Sequence, residues 1–273
     1  AGNQTELLES GPTIAPEELD AFTAKFTELA GKADVVTISG SLPRGVEADY
    51  YAKITGIAEN AGAKVLLDTS GASLEAALKS EVKPELVKPN LTEINGLLGT
   101  SFTTDDVDEL RAALASDARF SDIPWVVVSM GAAGSVGFHN GRAFRAKTPD
   151  IPAVNATGSG DSTIAGFAHA IAAGADDETV LRTANTCGNG SHDRPSGHGS
   201  LGRGLQRRCR DRAVRAWASA PASVACLWLE MMPSAVALCR GATPTLSCSI
   251  PTLPWSRRMW VATALVMRSP SKL

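Results

Sequence analysis

The stretch "ADVVTISG", residues 33–40, is a short run of β-branched residues that ends in glycine. A continuous apolar run of this length is typical of a strand buried on both faces of a sheet. It is followed by "YYAKITGIAENAGA", residues 50–63, which has the composition of a helix, and by "KVLLD", residues 64–68, which resembles a second buried strand. Strand, helix and strand in this order predict two parallel strands joined by a crossover helix.

The same alternation extends in both directions from this unit. Upstream, Leu19, Phe22, Phe26 and Leu29 recur at steps of three and four after a proline, which predicts an amphipathic helix. Downstream, we predict helices at "SLEAALKS", "LTEINGLLG", "TDDVDELRAALA", residues 162–173 and residues 177–187, strands at "LVKPN" and "WVVVSMG", and a hairpin at "GSVGFHNGRAFRA". The chain therefore has the pattern of an α/β fold with a mostly parallel sheet and helices on both faces. Ligands of such folds bind beyond the carboxyl ends of the strands.

Composition divides the chain near residue 188. Residues 1–188 carry 26 acidic and 14 basic residues, a net charge of −12, whereas residues 189–273 carry 3 acidic and 12 basic residues, a net charge of +9. Four of the five cysteines and four of the five tryptophans follow residue 188, and periodicity stops there. We predict a folded unit over residues 1–188 and a non-native or disordered tail over residues 189–273.

Several classes of protein are disfavoured by the sequence. The first ten residues have no basic or apolar signal-peptide pattern, and the longest apolar run of the tail, "ASVACLWL", is far shorter than the roughly 20 residues of a membrane span. The tail cysteines lack metal-ligand spacing, and its arginines are interleaved with Trp, Cys and Pro without a nucleic-acid-binding module. We expect a cytoplasmic protein with neither nucleic acid nor membrane as a partner.

The motif "GSGD", residues 158–161, precedes a predicted helix. Gly158 and Gly160 allow the backbone to approach a ligand closely, and the free N–H groups of a helix N-terminus favour an anion such as a phosphate. Asp161 beside such a site has the chemistry to accept a proton from an attacking hydroxyl, or else it simply caps the helix. The motif by itself leaves both interpretations open.

Asn90 and Glu93 are three residues apart, so they share one side of a helix that starts there. Together they suit a hydrated Mg²⁺ held through water, or they form a capping box, which the spacing alone favours.

Two further turns follow buried strands. Ser129 and Gly131 lie where a nucleotide would rest against the backbone, or in a plain tight turn. Arg44 is a candidate phosphate clamp, although a solvated side chain is the favoured interpretation.

Five motifs, taken in order, resemble the PfkB family of carbohydrate kinases: "SGSLPRG", "LDTSG", "KPNLTE", "VSMGAAG" and "GSGD". The family has a ribokinase-like, three-layer α/β/α fold, and the resemblance is strongest to its tagatose-6-phosphate kinase branch, with the 1-phosphofructokinases as near neighbours. It implies that Asp161 is the catalytic base, that Gly158 and Gly160 form the anion hole, and that Asn90 and Glu93 belong to a magnesium motif. For ATP, it implies binding by Lys88, Ser129, Gly131, Ser159 and Asn185.

The resemblance further implies transfer of a phosphoryl group from ATP to D-tagatose 6-phosphate, giving tagatose 1,6-bisphosphate. Phosphorylation of fructose 1-phosphate to fructose 1,6-bisphosphate is the alternative, and an inactive nucleotide-binding remnant is an alternative of another class. The intact parent is expected to act on sugar phosphate and ATP and is a candidate homodimer.

Two departures from the family pattern lead to further expectations. The chain starts at a point that resembles the end of the family's N-terminal segment, so we expect that segment, with its sugar-binding Asp, its Gly-Gly motif and the lid strands, to be absent. Codons for Asn189 to Pro195 can be chosen so that translation one base later gives Met-Ala-His-Met-Thr-Gly, which is similar to the family's continuation at that point. We therefore expect the lid to be absent, the tail to be an out-of-frame product, and the chain as written to fold poorly and have little activity.

Overall fold

The computed structural model describes residues 12–149, 158–191, 225–226 and 263–267. Its α-helices are α1 Pro16–Ala30, α2 Tyr50–Asn60, α3 Gly71–Lys79, α4 Leu91–Leu98, α5 Val107–Ser116, α6 Ser159–Ala172 and α7 Asp177–Ser191. Its strands are β1 Val35–Ser39, β2 Lys64–Asp68, β3 Leu86–Val87, β4 Trp125–Ser129, β5 Ser135–His139, β6 Arg142–Ala146, β7 Ala225–Cys226 and β8 Thr263–Met267. A short 3₁₀ turn, Gly131–Ala133, separates β4 from β5.

The strands form one sheet in the order β6-β5-β4-β3-β2-β1-β8-β7. The four central strands, β1 to β4, run parallel to one another, and each is joined to the next by helical crossovers. The hairpin β5–β6 extends the sheet antiparallel to β4 and turns at Asn140 and Gly141, which both have positive φ. The predicted α/β, ribokinase-like architecture around a parallel sheet is confirmed.

Two hydrophobic layers cover the two faces of the sheet. Val36 and Ile38 of β1 pack into one cluster with α1 to α5, whereas Val35 packs into the other with α6 and α7. This alternation follows from the two-residue period of a strand, which sends successive side chains to opposite faces. Full burial of each such side chain contributes about 1.5–3 kcal/mol. The helices thus lie in one layer of five and one layer of two.

Helices α6 and α7 cross at unusually close range because small residues face each other. A Cβ atom placed on Gly166 would lie 2.7 Å from the Cα atom of Ala184, and one placed on Gly188 would lie 2.2 Å from Oγ1 of Thr163. Gly166 is therefore not replaceable without movement of the backbone, whereas a side chain at Gly188 first meets the Thr163 hydroxyl. These contacts fix the position of the N-terminal turn of α6, where the "GSGD" motif lies.

The structure differs from the sequence-based expectation at two helix ends. Helix α6 begins at Ser159, three residues earlier than predicted, because Gly158 adopts the left-handed conformation (φ 82°) and starts the helix. Helix α7 continues to Ser191, four residues further than predicted.

Within the predicted tail, β8 pairs antiparallel with β1 and with β7. The rest of that prediction falls outside the described residues. None of the helices in the described segments is both long enough and apolar enough to span a membrane.

Candidate active site

The carboxyl ends of the central strands meet at one edge of the sheet. Just beyond β1, the backbone N–H of Gly40 donates to the carbonyl oxygen of Asp68 at 3.0 Å, and the Thr69 hydroxyl donates to the Gly40 carbonyl at 2.8 Å. Beyond β3, the Pro89 carbonyl accepts from the backbone N–H of Ser129 at 3.0 Å. These bonds align four of the five recognised motifs along one edge of the sheet, where the parallel strands predict a ligand cleft.

The fifth motif reaches the same edge through the N-terminus of α6. Gly158 caps the helix, and its carbonyl oxygen accepts the first intrahelical bond from the N–H of Ser162 at 2.9 Å. Helical geometry leaves the N–H groups of Gly160 and Asp161 without an acceptor inside the helix. Their partial positive charge, added to that of the helix dipole, makes this turn a site for an anion.

A buried ion pair lies against this turn. Nζ of Lys88 is 3.0 Å from Oδ2 of Asp68, and the two side chains are 8% and 20% exposed. A Cβ atom placed on Gly160 would lie 3.7 Å from Oδ2 of Asp68 and 3.8 Å from Nζ of Lys88. The first turn of α6, the end of β2 and the residue after β3 therefore form one cluster of charges.

Asp161 is the third residue of α6 and is exposed to solvent. Its carboxylate accepts no hydrogen bond from any described residue, and the cap of the helix is Gly158, so the capping interpretation of Asp161 has no support in this geometry. Partial desolvation raises the pKa of Asp161, the nearby Asp68 carboxylate raises it further, and Lys88 lowers it. A carboxylate that is accessible and more basic than usual is suited to accepting a proton.

Asn90 and Glu93 form the capping box that their spacing predicts. Oδ1 of Asn90 accepts from the N–H of Glu93 at 2.9 Å, and Oε2 of Glu93 accepts from the N–H of Asn90 at 2.8 Å. The box holds the Glu93 carboxylate at the start of α4 and leaves Oε1 outside it. In the described part of the chain, His, Cys, Asp and Glu side chains form no cluster of three or more that could hold a metal ion. Two oxygen-bearing groups match a Mg²⁺ that keeps most of its waters.

The residues predicted to lie near the nucleotide are partly brought together. Ser129 is paired in register with Ser135, whose buried hydroxyl accepts from Nδ2 of Asn185 at 2.8 Å. Gly131 starts the 3₁₀ turn with a φ of 56° and has open space where a side chain would be. Ser159 differs, because its hydroxyl donates to the Gly188 carbonyl at 3.3 Å and so contacts α7.

Arg44 lies at the end of the first motif and is exposed. Its carbonyl oxygen accepts from the N–H of Ile14 at 2.8 Å, so the backbone of this loop is held against the segment before α1. Its guanidinium forms no ion pair with any residue in the described ranges. This arrangement agrees with the solvated interpretation of Arg44.

Asp68 is the site residue to which the sequence analysis assigned no role. The signal was present, because an acidic residue ends the buried strand "KVLLD" and a lysine follows the next strand, "LV". Adjacent parallel strands end at the same edge, so an acid and a base at these two positions are expected to meet.

Comparisons with known proteins identify the family of the chain. The model of the pfkB family of carbohydrate kinases matches residues 1–196. Among solved structures, phosphofructokinase-2 from Escherichia coli in complex with fructose-6-phosphate is similar with a TM-score of 0.61 and 26% identity, over 70% of this chain and 61% of that protein. A possible 1-phosphofructokinase from Thermotoga maritima matches with a TM-score of 0.61 and 22% identity, over 74% and 63% of the two chains.

A third neighbour is the ribokinase of Arabidopsis thaliana complexed with ribose and ATP, with a TM-score of 0.50 and 23% identity, over 63% of this chain and 54% of that one. The two structures below 25% identity support the fold alone. The chain spans about six tenths of the length of the E. coli phosphofructokinase-2 that it matches. Because the family model covers more than half of its residues, the chain belongs to the pfkB family of carbohydrate kinases.

Proposed function

We propose that this chain carries the catalytic core of an ATP-dependent kinase that phosphorylates a primary hydroxyl of a phosphorylated ketohexose, with D-tagatose 6-phosphate as the preferred acceptor. One observation carries the proposal: an exposed carboxylate, Asp161, of raised pKa lies in the first turn of α6 beside the buried ammonium of Lys88. This combination supplies a base for the attacking alcohol and positive charge for the migrating phosphoryl group.

In the proposed reaction, Asp161 takes the proton of the acceptor hydroxyl as that oxygen approaches the γ-phosphorus. The N–H groups of Gly160 and Asp161 and the left-handed turn at Gly158 surround the transferred group with hydrogen-bond donors. Lys88 adds a full positive charge at the same turn. Phosphoryl transfer requires mainly positioning and charge stabilisation, and these groups provide both.

ATP supplies the phosphoryl group, and Mg²⁺ offsets the charge of its phosphates. Asn90 and Glu93 would hold the hydrated ion, while Ser129 and Gly131 would lie along the nucleotide. Asn185 would lie beside the adenine ring of ATP, where its bond to Ser135 keeps α7 close to the start of β5. Ser159 would contribute its backbone, since its hydroxyl is directed to Gly188.

The choice of acceptor rests on the resemblance of residues 155–167 and 184–188 to the tagatose-6-phosphate kinase branch. Fructose 1-phosphate, phosphorylated at its other end, is the alternative acceptor. The likeness to a phosphofructokinase-2 bound to fructose-6-phosphate adds a third acceptor to be tested. Tagatose 6-phosphate and fructose 6-phosphate differ only at C4 and offer the same primary hydroxyl, so Asp161 faces the same chemistry in both.

Two subsidiary proposals concern the chain as written. We propose that residues 189–273 arise from a shifted reading frame, which sequencing of the coding DNA and its flanks tests directly. We also propose slow turnover, because the chain matches about six tenths of the E. coli relative and positioning provides much of the rate in phosphoryl transfer. A normal rate from the purified chain would contradict the second of these proposals.

The experiment is a coupled ADP-release assay with tagatose 6-phosphate, fructose 1-phosphate and fructose 6-phosphate, at high protein concentration. Asp161→Asn is expected to reduce turnover by about 10²–10⁴-fold, the usual contribution of a general base, while ATP binding persists. The matched control is Asp108→Asn, which changes an exposed acid in the first turn of α5 on the other face of the sheet. If ATP binds but wild type and Asp161→Asn release ADP equally, the chain is a nucleotide-binding remnant.

A further inference from the structure

Strands β2 and β3 are joined by an ion pair at each end. At their amino ends, Nζ of Lys64 is 2.8 Å from Oε1 of Glu85, and at their carboxyl ends Lys88 contacts Asp68 at 3.0 Å. The two pairs differ in burial, because the Lys64 side chain is 51% exposed and that of Lys88 only 8%. Water screens the first pair, whereas the second acts in a region of low dielectric, where charges interact strongly.

We infer that Asp68 is a positioning residue for the proposed reaction: its carboxylate holds the Lys88 ammonium against the first turn of α6 and releases it to the nucleotide phosphates. The inference depends on the proposed function for its chemistry. It adds a residue to which that function gave no part, and it assigns two successive partners to Lys88.

Burial explains why Lys88 needs a partner before the nucleotide arrives. An ammonium removed from water is strongly destabilised unless an opposite charge and hydrogen bonds replace its hydration. Asp68 provides that charge, and its own backbone carbonyl is tied to Gly40 at 3.0 Å, which limits the movement of the end of β2. The Lys88 ammonium is therefore held in one place.

The contacts of Gly160 explain why the partner can change. The Cβ position on Gly160 is 3.7 Å from Oδ2 of Asp68 and 3.8 Å from Nζ of Lys88, so both charged atoms adjoin the turn that offers N–H groups to an anion. A phosphate that reaches this turn meets Lys88 at the same time. It competes with Asp68 for the ammonium, because both are oxygen anions.

The exchange has a consequence for Asp161. The charged groups that act on its carboxylate are Asp68 at the end of β2, which raises its pKa, and Lys88 after β3, which lowers it. When Lys88 turns to the phosphates, Asp68 remains as a negative neighbour of Asp161. The carboxylate then becomes a stronger base at the time when the acceptor hydroxyl must lose its proton.

The test is a ¹³C NMR titration of the Asp161 carboxyl carbon in the full chain without nucleotide, with Asp161→Asn to assign the signal. Asp68→Asn is expected to lower the pKa of Asp161, and Lys88→Met to raise it. Glu85→Gln, which breaks the matched pair at the other end of the same two strands, should leave it unchanged. Shifts in the same direction for Asp68→Asn and Lys88→Met, or no shift for Asp68→Asn, overturn the inference.

Either single variant leaves one charge buried without its partner, so folding is checked by circular dichroism. If a single variant does not fold, the double variant Asp68→Asn/Lys88→Met removes both charges and takes its place. Since Asp68 has the larger effect on Asp161, the double variant is expected to lower the pKa of Asp161 relative to wild type. An unchanged or raised value overturns the inference.

Addition of the non-hydrolysable analogue AMP-PNP with Mg²⁺ tests the exchange itself. It should raise the pKa of Asp161 in wild type and change it less in Lys88→Met; an equal rise in both overturns the exchange.

In the turnover assay, Asp68→Asn should reduce kcat by up to about a hundredfold, as a misplaced group does, and move the acidic limb of the pH profile to lower pH. A profile with an unmoved limb contradicts the inference. Opposite NMR shifts without any turnover would instead contradict the proposed function alone.

Discussion

Asn185 donates a hydrogen bond of 2.8 Å from Nδ2 to the hydroxyl of Ser135, a residue only 4% exposed. The bond joins the middle of α7 to the first residue of β5, directly after the turn that contains Gly131. A side chain predicted to lie beside the nucleotide thus also connects two layers of the fold.

Replacement of Asn185 by alanine is therefore expected to weaken both stability and ATP binding. The Ser135 hydroxyl loses a buried partner, and an unsatisfied buried group costs about 1–3 kcal/mol. The free energy of unfolding is measured by urea titration of Asn185→Ala and of the exposed neighbour variant Thr186→Ala. The double variant Ser135→Ala/Asn185→Ala should lose less free energy of unfolding than the sum of the losses in Ser135→Ala and Asn185→Ala. Strict additivity of the two losses would show that the bond contributes nothing.

The packing of α6 on α7 predicts opposite effects for two Gly→Ala substitutions. Gly166→Ala places a Cβ atom 2.7 Å from the Ala184 backbone and is expected to destabilise the protein by about 1–3 kcal/mol through overpacking. Gly56→Ala, in the middle of α2, meets no atom within 4 Å and is expected to stabilise it by about 0.5–1 kcal/mol. Thermal unfolding followed by circular dichroism measures both effects. If both substitutions stabilised the protein, or both destabilised it, the result would contradict the described helix crossing.

The capping box at the start of α4 separates a structural role from a metal role. Asn90→Ala removes the cap of the Glu93 N–H and should lower the free energy of unfolding by about 1 kcal/mol. Glu93→Gln retains an oxygen that accepts from the Asn90 N–H but loses the negative charge, so stability should change little while more Mg²⁺ is needed for half-maximal turnover. An unchanged Mg²⁺ requirement in Glu93→Gln would leave these two residues with the capping role only.

The sequence was sufficient for the order of the elements from α1 to α7, because short apolar runs predict the buried strands and each helix has its own period, whereas β7 and β8 lie in the predicted tail. It was also sufficient to place the motifs at one edge of the sheet, since parallel strands present their carboxyl ends together. Ser129 was predicted to be a site residue because it lies at a strand end, whereas Asp161 came from the "GSGD" motif and Lys88 from the family resemblance. The first turn of α6 lies against the pair formed by Lys88 and Asp68.

The start of α6 and the role of Asp68 required three-dimensional information. Gly158 suits a loop as well as a left-handed helix cap, so the spacing of the motif did not predict that the helix begins at Ser159. The Asp68–Lys88 pair depends on the register between two strands, and β3 has only two residues from which to infer it. The close crossing at Gly166 likewise depends on how two helices pack, which no single segment specifies.

The raised pKa of Asp161 predicts the pH dependence of both activity and stability. Turnover should fall as the pH drops through that pKa, because the protonated carboxyl accepts no proton.

For stability, a carboxyl whose folded-state pKa lies above its unfolded value stabilises the fold most below the unfolded pKa, and this contribution is lost as the pH rises through the folded pKa. Desolvation and the Asp68 carboxylate raise the pKa of Asp161, and Lys88 lowers it. The unfolding temperature of Asp161→Asn minus that of wild type should therefore be more positive at pH 7 than at pH 3. Asp108→Asn is the control. The reverse order would mean that the folded protein stabilises the charged carboxylate and that Asp161 is a weaker base than proposed.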